Sequence, residues 1–258
     1  MKSIFSLLLL AFASTSLLNA QDTKGDPKLT EVYEPKPKLV TPGKTPQDAP
    51  SDAIVLFSSG NLNEWVSSKD STKPAEWTVN SEGFTVKKGT GNIQTKQKFL
   101  DYQLHIEWRI PTVIHGTGQG RGNSGVFLSS IGPGDMGYEI QVLDNYQNET
   151  YVNGQVGSIY KQHIPLANAA KKPGEWQEFD IVWTAPRFND DGSIKTPARI
   201  TAFHNGVLVQ NNVELKGITV YIGQPSYVKA HGATSIKLQD HGDPSEPISY
   251  RNIWVRPL

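Results

Sequence analysis

RGNSGVFLSSIGPGDMGYEIQVLD, Arg121 to Asp144, joins a small polar turn, Asn123-Ser124-Gly125, to strand-like runs at Gly125–Ser129 and Tyr138–Leu143. In the second run Tyr138, Ile140 and Val142 fall on one side and Glu139 and Gln141 on the other, the two-residue period of a strand buried on one face. Upstream, LHIEWRI repeats the pattern, with Leu104, Ile106, Trp108 and Ile110 as the apolar row and His105, Glu107 and Arg109 as the polar one. If these strands are neighbours, Glu107, Glu139 and Gln141 line one concave polar surface.

Further runs rich in Val, Ile, Phe, Tyr and Trp predict strands at Ile54–Phe57, Trp77–Val79, Gly83–Lys87, Tyr102–Ile110, Glu178–Trp183, Arg199–Phe203, Val207–Val213, Ile236–Gln239 and Tyr250–Arg256. Asn205-Gly206 marks a hairpin, because both residues tolerate positive φ. Helical periodicity is nearly absent, and one helical turn is expected over Leu166–Lys171. The pattern predicts an all-β sandwich with a groove on one side. Two long loops, Pro111–Gly122 and Gly217–Thr234, are expected to carry function.

The start of the chain reads as a secretory signal over residues 1–20: Lys2, an apolar run from Ile4 to Leu18, and a small-residue site at Leu18-Asn19-Ala20. Secretion or a periplasmic location follows as the expectation, with no membrane span after cleavage. Residues 21–50, rich in Pro, Lys, Thr and Asp, read as a linker or disordered arm, and 51–258 as a single domain. The chain has no cysteine, which excludes a disulfide framework, a thiolate metal site and a lipoprotein anchor. Lys and Arg number 25 and Asp and Glu 25, which gives no electrostatic reason to expect nucleic acid or an anionic membrane as partner. Oligomeric state is not legible.

The segments LFSSGNLNEW, NSGVFL, YEIQVLD, NAAKKPGEWQEFDIVWTAPRF, FHNGVLVQNNVEL, LQDHGDP and YRNIWVRPL, in this order from Leu56 to Leu258, resemble the 3-keto-disaccharide hydrolase family. The resemblance implies a concanavalin A-like jelly roll of two antiparallel sheets with a concave groove, bacterial secretion, and action on glycosides oxidised to a ketone at carbon 3. Such a ketone acidifies the carbon 2 hydrogen. A base can then form an enolate whose collapse expels the carbon 1 group, and water adds to the unsaturated sugar. This route needs a base, enolate stabilisation and an acid. A divalent metal at the ketone and neighbouring hydroxyl is chemically attractive. His115 and His231, in the two long loops, could reach one, but no His-x-His or His-Glu-x-x-His spacing occurs, so the metal ligands stay open.

Glu139 is the first candidate for the base, with Glu107 and His241 as alternative catalytic groups. Gln141, Asn123, Ser124 and Tyr160 are candidates for binding sugar hydroxyls or the ring. Asp240 is expected to orient His241, and Arg251 to polarise the ketone or enolate oxygen unless it pairs with Asp243 or Glu246. Tryptophans 65, 77, 176, 183 and 254 are expected in the core. Two other function classes compete: a retaining endoglycosidase and a glycan-binding module without catalysis, with a structural envelope protein third. Retaining glucanases of the laminarinase type resemble Glu-x-Asp-x-x-Glu along one strand. Here Glu139-Ile-Gln141-Val-Leu-Asp144 puts Gln in the middle and a shorter acid last, which weakens a two-carboxylate mechanism.

Overall fold

The computed structural model describes residues 25–258. The expected signal at 1–20 lies outside the described residues. The chain divides into two units, Met1–Leu39 and Val40–Leu258. In the first, a short 3-10 turn, Pro27–Thr30, is capped by Asp26, whose carboxylate accepts from the Lys28 amide at 3.0 Å. Everything below concerns the second. No described helix is long and apolar enough to cross a membrane.

Fifteen strands follow in chain order: β1 Ile54–Phe57, β2 Trp65–Ser67, β3 Thr78–Asn80, β4 Gly83–Thr85, β5 Ile93–Thr95, β6 Tyr102–Arg109, β7 Ser124–Ser130 and β8 Gly137–Val142. The remainder are β9 Trp176–Thr184, β10 Arg187–Phe188, β11 Ile194–Thr196, β12 Arg199–His204, β13 Val207–Glu214, β14 Ser235–Leu238 and β15 Ser249–Pro257. The larger sheet runs β13-β12-β9-β6-β15-β4-β3 with β1 also on β15, the smaller runs β2-β5-β14-β7-β8, and β10 and β11 form a ribbon. All pairings are antiparallel. This is the expected all-β jelly-roll sandwich. The Asn205-Gly206 hairpin forms as well, with φ of 51° and 76° joining β12 to β13.

Alternation sets which side chains meet in the middle. From the larger sheet Tyr102, Leu104, Ile106, Trp108, Phe179, Ile181 and Trp183 turn inward; from the smaller, Val126, Leu128, Tyr138, Ile140, Val142, Ile236 and Leu238. They form one buried cluster, so the two polar faces of the sandwich point in opposite directions. Trp176 departs from the expected core role: it is half-buried, with the Arg109 and Arg251 guanidinium groups 4.6 and 4.1 Å from its ring.

The helical turn expected over Leu166–Lys171 is irregular chain. Its backbone bonds go elsewhere, the Leu166 amide to the Val209 carbonyl at 2.9 Å and the Lys171 amide to Gln177 at 2.9 Å. The segment 40–50, read by composition as part of the arm, is tied to β15. The Gln47 carbonyl accepts from Asn252 Nδ2 at 3.0 Å and from Trp254 Nε1 at 2.9 Å.

Candidate active site

On the outer face of the smaller sheet, cross-strand register lines up two rows. Glu139 of β8 faces Phe127 of β7, which faces Lys237 of β14, which faces Gln94 of β5. In the adjacent row Gln141 faces Gly125, whose carbonyl accepts from the Gln239 amide at 3.1 Å. Gly125 leaves a gap between the two glutamines. A Cβ there would lie 2.3 Å from Glu139 Oε1, so only glycine lets the carboxyl take this position.

The gap opens into a cavity of about 240 Å³ lined by Asn123, Asp135, Glu139, Gln141, Tyr160, Thr219, Tyr221, Gln239 and His241. Glu139 is 5% exposed. Its amide donates to Thr219 Oγ1 at 3.1 Å, while among the described residues none hydrogen-bonds its carboxyl. Burial pushes the carboxyl up to about 8; Asp135 adds to the rise and the Lys237 ammonium opposes it. Lys237 is fully buried beside it, over the Phe127 ring at 4.8 Å. Its ammonium donates to the carbonyls of Gly134 at 2.7 Å, Met136 at 3.1 Å and Gly132 at 3.4 Å, pinning the loop that carries Asp135. Burial lowers Lys237 to about 8, with Asp135 and Glu139 pulling the other way.

The amides around the carboxyl are partly committed. Gln141 Nε2 donates to Asn123 Oδ1 at 3.0 Å and to Gln119 Oε1 at 3.3 Å, which turns the Gln141 carbonyl oxygen free of that network as an acceptor. Asn123 is fixed further by its Nδ2 on the Gln119 carbonyl at 2.8 Å and its amide on Asp243 at 2.9 Å. Gln239, 5% exposed, has a buried Oε1 without a partner. Tyrosines form one rim: the hydroxyls of Tyr151 and Tyr160 are 2.5 Å apart, and Lys161 lies over Tyr221 at 4.2 Å. Burial raises Tyr160, with Tyr151 and Glu139 reinforcing it, so its hydroxyl keeps its proton.

The structure therefore brings Glu139, Gln141, Asn123, Tyr160 and His241 together, the last exposed at the mouth. Glu107 is not with them. It sits on the outer face of the larger sheet, on the far side of the core, where Arg251 Nε donates to it at 2.6 Å and Asn252 at 2.8 Å. Burial would raise Glu107, but the His105 ring 3.7 Å away and hydrogen bonds from Asn252 and Arg251 hold it down at about 2. Arg251 is thus the structural partner of Glu107 rather than of a ketone, and neither Asp243 nor Glu246 pairs with it. Ser124 points inward with Val126 and Leu128; its hydroxyl donates to the Gln239 carbonyl at 2.6 Å and accepts from Tyr250 at 2.7 Å. Asp240 does not orient His241, since its Oδ2 accepts from the Gly89 and Gly91 amides at 2.8 and 3.0 Å.

His115 bonds Glu246 at 2.8 Å and His231 bonds the Tyr138 hydroxyl at 2.9 Å. Among the described residues no group of three or more His, Cys, Asp or Glu side chains converges to hold a metal ion. Sequence reasoning missed Asp135, Thr219, Tyr221 and Gln239 as lining residues. Thr219 and Tyr221 lie in the long loop Gly217–Thr234 that was expected to carry function, and Gln239 carried a periodic signal: Ile236 and Leu238 alternate with Lys237 and Gln239, which places the latter two outward.

Residues 52–256 match the family model described as a 3-keto-alpha-glucoside-1,2-lyase-like domain. A crystal structure of a "putative glycosyl hydrolase" from Parabacteroides distasonis ATCC 8503 is 55% identical, with 90% of this chain and 97% of that chain covered and a TM-score of 0.83. Two further proteins of that organism with the same description share the fold. One is 21% identical over 80% of this chain and 99% of that chain, TM-score 0.56. The other is 16% identical over 80% and 94%, TM-score 0.57. No curated protein matches this chain. By the extent of the family match and of the first of these likenesses, the chain belongs to the family of 3-keto-alpha-glucoside-1,2-lyase-like domains.

Proposed function

We propose that the protein cleaves glycosides carrying a ketone at carbon 3, by proton abstraction, elimination and hydration. The observation that carries this reading is Glu139: a carboxyl 5% exposed, without a hydrogen-bond partner among the described residues, held near 8 by burial and facing a cavity of about 240 Å³. A carboxylate desolvated in this way is a stronger base than one in water. The cavity is smaller than the ~300–1,000 Å³ of pockets for drug-sized ligands and suits one sugar ring.

Ionised Glu139 takes the carbon 2 proton, and the electron pair moves onto the carbon 3 oxygen as an enolate. Gln239, whose amide nitrogen bonds no described residue, and the Tyr160 hydroxyl are two neutral donors lining the cavity that can meet that charge. The enolate reforms the ketone as the carbon 1 to oxygen bond breaks, giving a carbon 1 to carbon 2 double bond. His241, exposed at the mouth, supplies the proton that the leaving alcohol needs. Water then adds its oxygen to carbon 1 and a proton to carbon 2. Tyr151, Tyr160 and Tyr221 offer faces on which the departing group can stack. The reading places this chemistry outside the cytoplasm, following the signal-like start of the chain.

A two-carboxylate glycosidase is the second reading, favoured by Asp135 lining the same cavity and raising Glu139. Asp144, the acid that sequence spacing offers, is buried and bound to Arg121 Nε at 2.7 Å. Product formation from matched glucosides with and without the 3-keto group, using residues 21–258, separates the readings. Cleavage confined to the oxidised substrate supports elimination; cleavage of the unoxidised glucoside supports the second reading; binding of either without product favours a glycan-binding module.

A further inference from the structure

A second cavity of about 440 Å³ opens on the outer face of the smaller sheet, toward the other end of the same strands. The loop Ile131–Met136 separates the two: Asp135 lines the first cavity, while Ile131 and Gly132 line the second. The buried Lys237 holds the loop in place through three of its carbonyls.

The lining of the second cavity differs in charge from the first. Lys98 and Lys229 both border it, no carboxylate does, and neither lysine has an ion-pair partner among the described residues. Ser68, Gln94, Ser130 and Ser235 supply the rest of its polar wall. Ser130 Oγ donates to Gln94 Oε1 at 3.2 Å, which leaves the Gln94 amide nitrogen as a donor. His231 adds no charge. Its Nδ1 donates to the Gly232 carbonyl at 3.0 Å and its Nε2 bonds the Tyr138 hydroxyl at 2.9 Å, contacts a neutral ring can make. Burial lowers its pKa, and the nearby Lys229 ammonium lowers it further. In a chain with 25 basic and 25 acidic residues, two unpaired ammonium groups over one uncharged, donor-rich hollow form a local positive site.

We propose that this second cavity binds the anionic substituent of an acidic sugar, a carboxylate or sulfate on a ring whose hydroxyls meet the serine and glutamine side chains. The anion part of this assignment stands on the lysines alone; the sugar part rests on the glycoside reading above. Direct binding tests it without turnover. Wild-type protein is titrated calorimetrically at low salt with a neutral glucose disaccharide, with the same disaccharide carrying glucuronic acid, and with inorganic sulfate. The acidic disaccharide should bind at least about tenfold more tightly than the neutral one, the preference fading as salt screens the lysines. Lys98→Gln with Lys229→Gln should abolish that preference, whereas Glu139→Gln should leave it intact. Both lysines are exposed, so an unchanged melting temperature is the check on folding. Equal affinity for neutral and acidic disaccharides, or retention of the preference in the lysine variant, overturns the proposal. Sulfate binding as tightly as the acidic disaccharide overturns its sugar part. None of these outcomes depends on whether the protein cleaves a 3-keto glycoside.

Discussion

Gly125 of β7 lies diagonally across from Glu139 of β8, so close that a Cβ on the glycine would fall 2.3 Å from the glutamate's Oε1. The clash is with the far end of a side chain, so Gly125→Ala should fold while turning the carboxyl away from its position. Displacement of a base by about 1 Å costs on the order of 100-fold in rate. Steady-state kinetics with a melting curve alongside checks this: a large loss of kcat with a nearly unchanged Tm is expected.

The pH dependence follows from Glu139. As a base it must be ionised, and burial raises it to about 8, so kcat/KM should climb with pH and level off above that value. The Lys237 ammonium favours the ionised form. Lys237→Met should therefore move the midpoint to higher pH, each unit of displacement costing about tenfold at pH 7. A pH profile of both proteins reads this directly, and a midpoint that stays put would separate Lys237 from the base.

Glu107 marks the boundary between chemistry and scaffold. It pairs with Arg251 on the opposite outer face, where Arg251 is partly exposed. Glu107→Gln should leave kcat within about twofold while lowering stability by about 1–2 kcal/mol, less than a fully buried pair because of solvent screening. Denaturant unfolding and kinetics on the same preparation test both halves.

His105, beside Glu107, ties pH to stability. Burial would lower its pKa, but Asp180 at 2.7 Å and Glu107 at 3.7 Å raise it from 6.5 to about 9. The folded state thus binds a proton more readily than the unfolded chain between those values. The stabilisation is complete below pH 6.5 and is lost as pH rises through about 9. Melting curves from pH 6 to pH 10 should show the decline in wild type and a flatter response in His105→Gln.

The same residues show what the sequence could convey. Alternation in LHIEWRI and YEIQVLD correctly separated inward Trp108 and Ile140 from outward Glu107 and Glu139, because the period of a strand is local. It could not say that a sandwich has two outer faces and that these strands lie in different sheets, since sheet membership is a long-range pairing. Ser124 was legible in principle: it shares the parity of Val126 and Leu128, but the turn signal of Asn123 and Gly125 masked it. Short strands such as Trp65–Ser67 and Ile93–Thr95 are too brief to show a period at all. Asp135 and Thr219 reach the cavity from loops, where no periodicity exists to place them.

The most direct test is the hydrogen on carbon 2. A 3-keto glucoside is turned over in heavy water by wild type and by Glu139→Gln, and the released sugar is analysed for deuterium at that carbon. One deuterium per turnover in wild type, with the variant slower by about 10²–10⁴-fold, is the predicted result. Release of the sugar with its original carbon 2 hydrogen, or full activity in Glu139→Gln, would contradict proton abstraction by Glu139.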